Sequence, residues 1–225
     1  MEKFFENKER TVFTEEGVGG NIRSFVYPKS LDFILLNEEK FKLLNEKMGA
    51  PESVPTYFVS QQDKTSFEAR LVDEVPLKIV VRKFISQEYL SSHYYLFPNM
   101  NISIGGQLWE PIVDFLLNDD PLIYDIGSKD WLGYNKEGKI TKLGKIRLKK
   151  TNLILNENHV IEIRDKAVKV FKILETDFHE RGFDLGNLSM NFGFWLDNQK
   201  KIRNGEWILL SGLFSFSSWI LFPIQ

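Results

Sequence analysis

The chain has 225 residues, 43% of them apolar and 27% charged, with a formal net charge of -2 and no cysteine. That length buries a sizeable core without metals or disulfides, and the charge balance excludes a disordered chain and a globally basic nucleic-acid surface. The absent thiols exclude a disulfide framework, a cysteine nucleophile and Cys-ligated zinc, and they fit a reducing, cytoplasmic setting.

Met1 to Lys8 has no long apolar run, so no secretory signal is expected. Thr11 to Leu36 reads as strand, turn and strand around Gly17, Gly19 and Gly20, a β-hairpin cover. Asn37 is placed to cap a short helix whose Phe41, Leu44 and Met48 share one face, with Gly49 and Pro51 ending it. Pro55 to Ser60 and Ser66 to Phe84 read as strands, with a turn expected at Asp73-Glu74. From Ser86 to Lys150 loop and short strand alternate, and hairpin turns are expected at Lys136-Glu137-Gly138 and Lys142-Leu143-Gly144.

The clearest helix spans Val160 to Arg181, where Val160, Ile163, Ala167, Val170, Leu174 and Phe178 form one stripe and Gly182 supplies the stop. Leu185 to Trp195 and Gly205 to Leu213 read as paired strands around the polar Asp197 to Lys201 turn. Trp207 to Pro223 lacks ionisable side chains, yet its serines, Gly212 and Pro223 favour buried strand plus loop over a membrane helix. These elements predict an α+β fold. An N-terminal antiparallel sheet lobe (1–84) and a larger C-terminal α+β lobe (85–225) would flank a ligand-binding cleft.

Four segments in order carry a family resemblance: Glu74 to Phe84; Glu110-Pro111-Ile112-Val113-Asp114-Phe115 with Asp119-Asp120-Pro121-Leu122-Ile123; the helix closed by Gly182-Phe183-Asp184-Leu185; and Met190-Asn191-Phe192-Gly193. Together they resemble SAICAR synthetase (phosphoribosylaminoimidazole-succinocarboxamide synthase), an ATP-dependent ligase of purine biosynthesis. The resemblance implies a first hairpin covering nucleotide phosphates, here Gly17, Gly19, Gly20 and Arg23, with Asn21 where the family has a lysine. It implies an adenine-flanking strand from Leu77 to Val81, beginning beside Lys78, and an arginine facing the active site, here Arg82. Lys83 replaces the family's Asn, and the segment around Ser86 lacks its Gly-Ser turn.

The departures concentrate in the acids. Asn191 stands for the Glu of "KLEFG", Ser211 and Gly212 for the Asp-Glu pair, and Trp219 for the final substrate arginine. Asp114, Asp119 and Asp120 offer carboxylates to magnesium, against which stands a solvated turn before Pro121. His93, His159 and His179 are scattered, with His179 expected to face solvent.

The expectation is therefore a SAICAR-synthetase-like protein without catalytic or metal-binding residues, whose ligand contacts are Gly17, Gly19, Gly20, Arg23, Lys78, Arg82, Ser86, Asn191, Ser211, Ser217 and Ser218. Its ligand would be a nucleotide or nucleotide-derived small molecule, sequestered in the manner of a virus-encoded decoy. Nucleic acid and membrane are not expected as partners, and homo-oligomerisation is left open. The alternative is a divergent active ligase, which would require ATP and magnesium.

Overall fold

A computed structural model describes residues 2–7, 10–16, 21–28, 39–44, 56–61, 66–85, 89–90, 106–134, 139–197, 199, 201–202, 208–211 and 219–223. Gly17, Gly19, Gly20, Met48, Gly49, Pro51, Ser86, Ser217, Ser218, the strand expected at 33–36 and the turn at Lys136-Glu137-Gly138 lie outside the described residues. The chain divides into two compact units. The first comprises Met1–Glu74, Lys149–Thr151 and Phe192–Ser215; the second comprises Val75–Leu148, Asn152–Asn191 and Phe216–Gln225.

In the first unit, β1 (Glu2–Asn7), β2 (Arg10–Glu16), β3 (Asn21–Pro28), β4 (Phe58–Gln61) and β5 (Ser66–Arg70) form an antiparallel sheet in the order β1-β2-β3-β5-β4. The helical residues 39–44 bury Phe41 and Leu44 completely, as their spacing predicts, and Phe41 stacks on Phe58 with centroids 5.5 Å apart. Asp73 and Glu74 do not turn. They lie in β6 (Val72–Glu74), and the chain bends instead at Val75-Pro76-Leu77, where proline fixes its own φ and removes an N–H from the ladder.

In the second unit, β7 (Lys78–Phe84), β8 (Gln107–Leu117), β9 (Asp120–Asp125), β10 (Asp130–Tyr134) and β11 (Ile140–Gly144) are antiparallel neighbours in the order β11-β10-β9-β8-β7. The stretch expected to mix loop with short strand therefore contains an eleven-residue strand, β8. Its hairpin into β9 is a two-residue turn with Asn118 at φ 53° and Asp119 at φ 67°, the left-handed pair of a type I′ turn. Lys142 and Leu143 belong to β11 rather than to a turn, and Gly144, at φ 76°, ends that strand. Trp131 is fully buried and makes T-shaped ring contacts with Phe115 and Tyr124.

The long helix spans Glu157–Glu180, one turn earlier than the apolar stripe alone shows. Asn156 and His159 form a reciprocal capping box: the Asn156 side chain accepts from the His159 N–H, and His159 Nδ1 accepts from the Asn156 N–H. Ile163, Ala167, Val170, Leu174 and Phe178 are buried, while Val160 is half-buried, and the helix packs on β7 and β8. His179 is exposed at the helix end, 3.2 Å from Asp184. No helix among the described residues is long and apolar enough to cross a membrane.

β12 (Phe183–Trp195) begins in the second unit, where Asn187 to Met190 pair with β7 and Phe183 to Leu188 pair with β14 (Trp219–Pro223). Its end belongs to the first unit, where Gly193 to Trp195 pair with β6, and β12 also pairs with β13 (Ile208–Ser211). The turn between β12 and β13 is built by Asp197, whose side chain accepts from the N–H groups of Gln199 and Lys201. The apolar C-terminal stretch thus holds two short strands.

Candidate functional site

Strand alternation sorts the second unit's residues onto two faces. Lys83 pairs with Glu175 of the long helix, so Ile79, Val81 and Lys83 face the helix. The opposite face carries Lys78, Val80 and Arg82 of β7. Their ladder partners put Asp114 of β8 and Asn187 and Ser189 of β12 on the same face, and Asn191 follows by alternation. Lys78, Arg82 and Asn191, three of the residues expected at the site, therefore share one sheet face.

Arg82 is buried at 3% exposure, not the exposed strand-end charge that its position after an apolar run suggests. Its Nε donates to Asp114 Oδ2 at 2.7 Å, and its guanidinium lies 5.5 Å from the centre of the Tyr89 ring. Among the described residues neither Nη atom has a hydrogen-bond partner, so the four N–H donors of these two nitrogens remain unassigned. Burial pushes the Tyr89 phenol up to about 12, with the Asp114 charge adding and the Arg82 charge opposing, so Tyr89 keeps its proton.

The backbone of β7 is committed. Ile79 to Arg82 pair with β8 on one side and β12 on the other, so this strand cannot offer those groups to a purine edge. The three carboxylates weighed as a magnesium cluster against a solvated turn do not act together. Asp114 holds Arg82, Asp119 sits in the I′ turn with Lys78 Nζ 3.0 Å away, and Asp120 opens β9. The Lys78–Asp119 pair is open to water and leaves Lys78 available to a ligand.

Asn191 is exposed on the Arg82 face. Around it that face offers the amide of Asn187 and the hydroxyl of Ser189, with Asp114 already engaged by a guanidinium. Neutral amides and a hydroxyl do not fit magnesium, which binds through carboxylates and phosphates. Among the described residues no group of three or more His, Asp and Glu side chains could hold a metal ion.

The remaining expected contacts belong to the first unit or lie outside the described residues. Arg23 occupies a register position in β3 between Glu15 of β2 and Glu68 of β5, and Ser211 ends β13. Sequence reasoning missed Tyr89 and Asn187, which have no motif to mark them. An open hollow of about 290 Å³ lies on the β8 to β11 meander, with Leu117, Leu122, Leu143 and Asp120 in its walls; neither Lys78 nor Arg82 lines it.

An antiparallel sheet with one face under a long helix and the other carrying a buried arginine makes this an α+β protein, and solved SAICAR synthetases share its fold. The ADP complex of a type-2 SAICAR synthetase superposes with a TM-score of 0.60 at 17% identity, covering 97% of this chain and 83% of that one. The Ehrlichia chaffeensis phosphoribosylaminoimidazole-succinocarboxamide synthase gives 0.63 at 16% identity, covering 99% and 86%. The SAICAR synthetase family model matches residues 36–209, and the chain belongs to that family.

Curated relatives carry the name phosphoribosylaminoimidazole-succinocarboxamide synthase. That of Prochlorococcus marinus (strain MIT 9211) is 31% identical over 109 residues, 47% of this chain and 42% of the relative. That of Streptococcus mutans is 24% identical over 168 residues, 73% and 59%. The chain spans about half the length of the curated relatives it matches.

Proposed function

We propose that the chain binds a phosphate-bearing nucleotide or nucleotide-derived small molecule on the sheet face of Lys78, Arg82 and Asn191, and does so without ligase chemistry. The observation that carries this reading is Arg82: a buried guanidinium oriented by Asp114 and Tyr89, with its Nη donors unassigned. A planar fork preorganised in a desolvated place suits the oxygens of an anion. Lys78 adds a second, mobile charge. Of the other expected contacts, Ser86, Ser217 and Ser218 belong to the same unit and join the proposed set, whereas Gly17, Gly19, Gly20, Arg23 and Ser211 belong to the first unit and are not part of this face.

The proposed absence of ligase chemistry rests on Asn191, Ser211 and Gly212, which stand at positions where the resembled motifs carry acids. Without those carboxylates a cation is poorly held against a triphosphate, and phosphoryl transfer depends on that cation. Binding without turnover would make the protein a sequestering one. Mass spectrometry of what co-purifies, followed by thermal shift with ADP and a nucleotide panel, tests the reading. A ligand bound only by the folded state raises the melting temperature by mass action. No shift across the panel, on protein shown to be free of ligand, would overturn it.

A second reading, a divergent active ligase, is favoured by the family match over residues 36–209. It requires magnesium-dependent release of ADP from ATP that needs both aspartate and the carboxylated imidazole ribonucleotide. Observing that dependence would replace the non-catalytic reading.

A further inference from the structure

Asn187 is a second buried polar side chain on the Arg82 face, and the sequence gives it no motif. It is 5% exposed and stands directly opposite Arg82 in the β7–β12 ladder. Its Oδ1 has no hydrogen-bond partner among the described residues. A buried carbonyl left unpaired lowers stability, and a leucine of similar size would fill the same place without that loss. A buried acceptor with no partner within the fold points to a partner from outside it.

The chemistry of that partner follows from the pair. Side chains directly opposite on one antiparallel face have Cβ atoms about 4.5–5.5 Å apart, close enough for one small group to meet both. Arg82 only donates, so it takes an anionic oxygen; Asn187 Oδ1 only accepts, so it takes an O–H or N–H. The donor is neutral, because an ammonium beside the guanidinium meets like-charge repulsion. We propose that Asn187 is a specificity-determining residue that, with Arg82, selects an anionic group carrying a neutral hydroxyl on the neighbouring carbon. A phosphate beside a ribose hydroxyl and a hydroxycarboxylate share that chemistry. The inference rests on the anion site proposed at Arg82.

The test titrates the full chain, stripped of bound ligand, with two matched pairs. Adenosine 3′-monophosphate against 2′-deoxyadenosine 3′-monophosphate probes phosphate as the anion, and malate against succinate probes carboxylate. Wild type should prefer the hydroxylated member of one pair by about tenfold, the scale of one buried hydrogen bond. Asn187→Leu should bind both members of that pair alike and, free of ligand, melt at a higher temperature than wild type. Asn187→Asp should weaken both members, since its carboxylate competes for Arg82. Equal binding of both members by wild type, or an Asn187→Leu protein that keeps the preference and melts lower, overturns the proposal and makes Asn187 structural. Binding that the double change Arg82→Met with Asp114→Leu abolishes but that shows no hydroxyl preference sinks the role of Asn187 alone. No binding of any of the four compounds overturns this inference, and the anion site falls with it only where ADP and the nucleotide panel also leave the melting temperature unchanged.

Discussion

Arg82 and Asp114 lie diagonally across the β7–β8 ladder, with Nε 2.7 Å from Oδ2 and the two side chains 3% and 11% exposed. A pair withdrawn this far from water is expensive to break, because the surviving charge is left without a partner. Arg82→Ala should therefore cost about 3–5 kcal/mol of stability in addition to any loss of ligand. The double change Arg82→Met with Asp114→Leu should recover most of that stability while still failing to bind anions. Urea unfolding of the three proteins, with ligand titration of those that fold, checks both halves. A double variant as unstable as the single one would show that the pair is not the source of the loss.

Asp73 anchors the first unit from the middle of β6. It is 1% exposed, and its carboxylate accepts from the backbone N–H groups of Lys150 and Thr151 and from the Thr151 hydroxyl at 2.7–3.1 Å. Removing the acceptor strands donors that water reaches poorly. Asp73→Ala should cost about 3 kcal/mol or more, with Thr151→Val costing less because it removes only the hydroxyl bond. Chemical denaturation of both variants measures the order. Equal small losses would mean that the 149–151 segment readily finds other partners.

Gly193 is held to glycine by contact and not by its dihedral angles. A Cβ there would stand 2.9 Å from Val72 Cβ, 3.0 Å from Val72 Cγ2 and 3.3 Å from the Asp73 carbonyl oxygen. The strand β6 would have to move away from β12. Gly193→Ala should cost about 1–3 kcal/mol through this overpacking. Gly127→Ala, whose added Cβ meets Asp125 Oδ1 at an ordinary 3.5 Å, serves as the neutral control. Comparable melting temperatures for the two variants would show that β6 yields without cost.

Local pattern made the long helix, its buried stripe and the Asp197 turn legible, because each is decided by residues a few positions apart. What stayed hidden depends on partners distant in sequence. The Asp73-Glu74 pair looks like a turn until Lys150 and Thr151 supply its donors. Arg82 looks like a strand-end surface charge until Asp114 and Tyr89 enclose it. Asn187 carries no signal at all, since an unpaired buried amide is visible only once the strands on either side of it are known. The helix start lay between these cases: Asn156 is an ordinary cap, but a histidine in the place usually held by Glu or Gln conceals the capping box.

That histidine makes the helix start sensitive to acid. His159 Nδ1 must be unprotonated to accept from the Asn156 N–H, 3.3 Å away. Burial holds its pKa below the usual 6.5, against opposing contributions from Glu162 and the Ile154 carbonyl. A histidine whose folded pKa is depressed prefers its neutral form in the native state. The stability it contributes is present above the unfolded value and is lost as pH falls from about 6.5 through the lowered folded pKa. A positive charge in the first turn also opposes the helix dipole. His159→Gln keeps a side chain able to complete the box without titrating, so its melting temperature should fall less than that of wild type between about pH 7.5 and 5. Asn156→Ala, which removes the other half of the box, should cost about 1 kcal/mol in both the wild-type and His159→Gln backgrounds near neutral pH. Parallel melting curves for wild type and His159→Gln across that range would show that the imidazole does not hold the cap, and would place the acid sensitivity of the fold elsewhere.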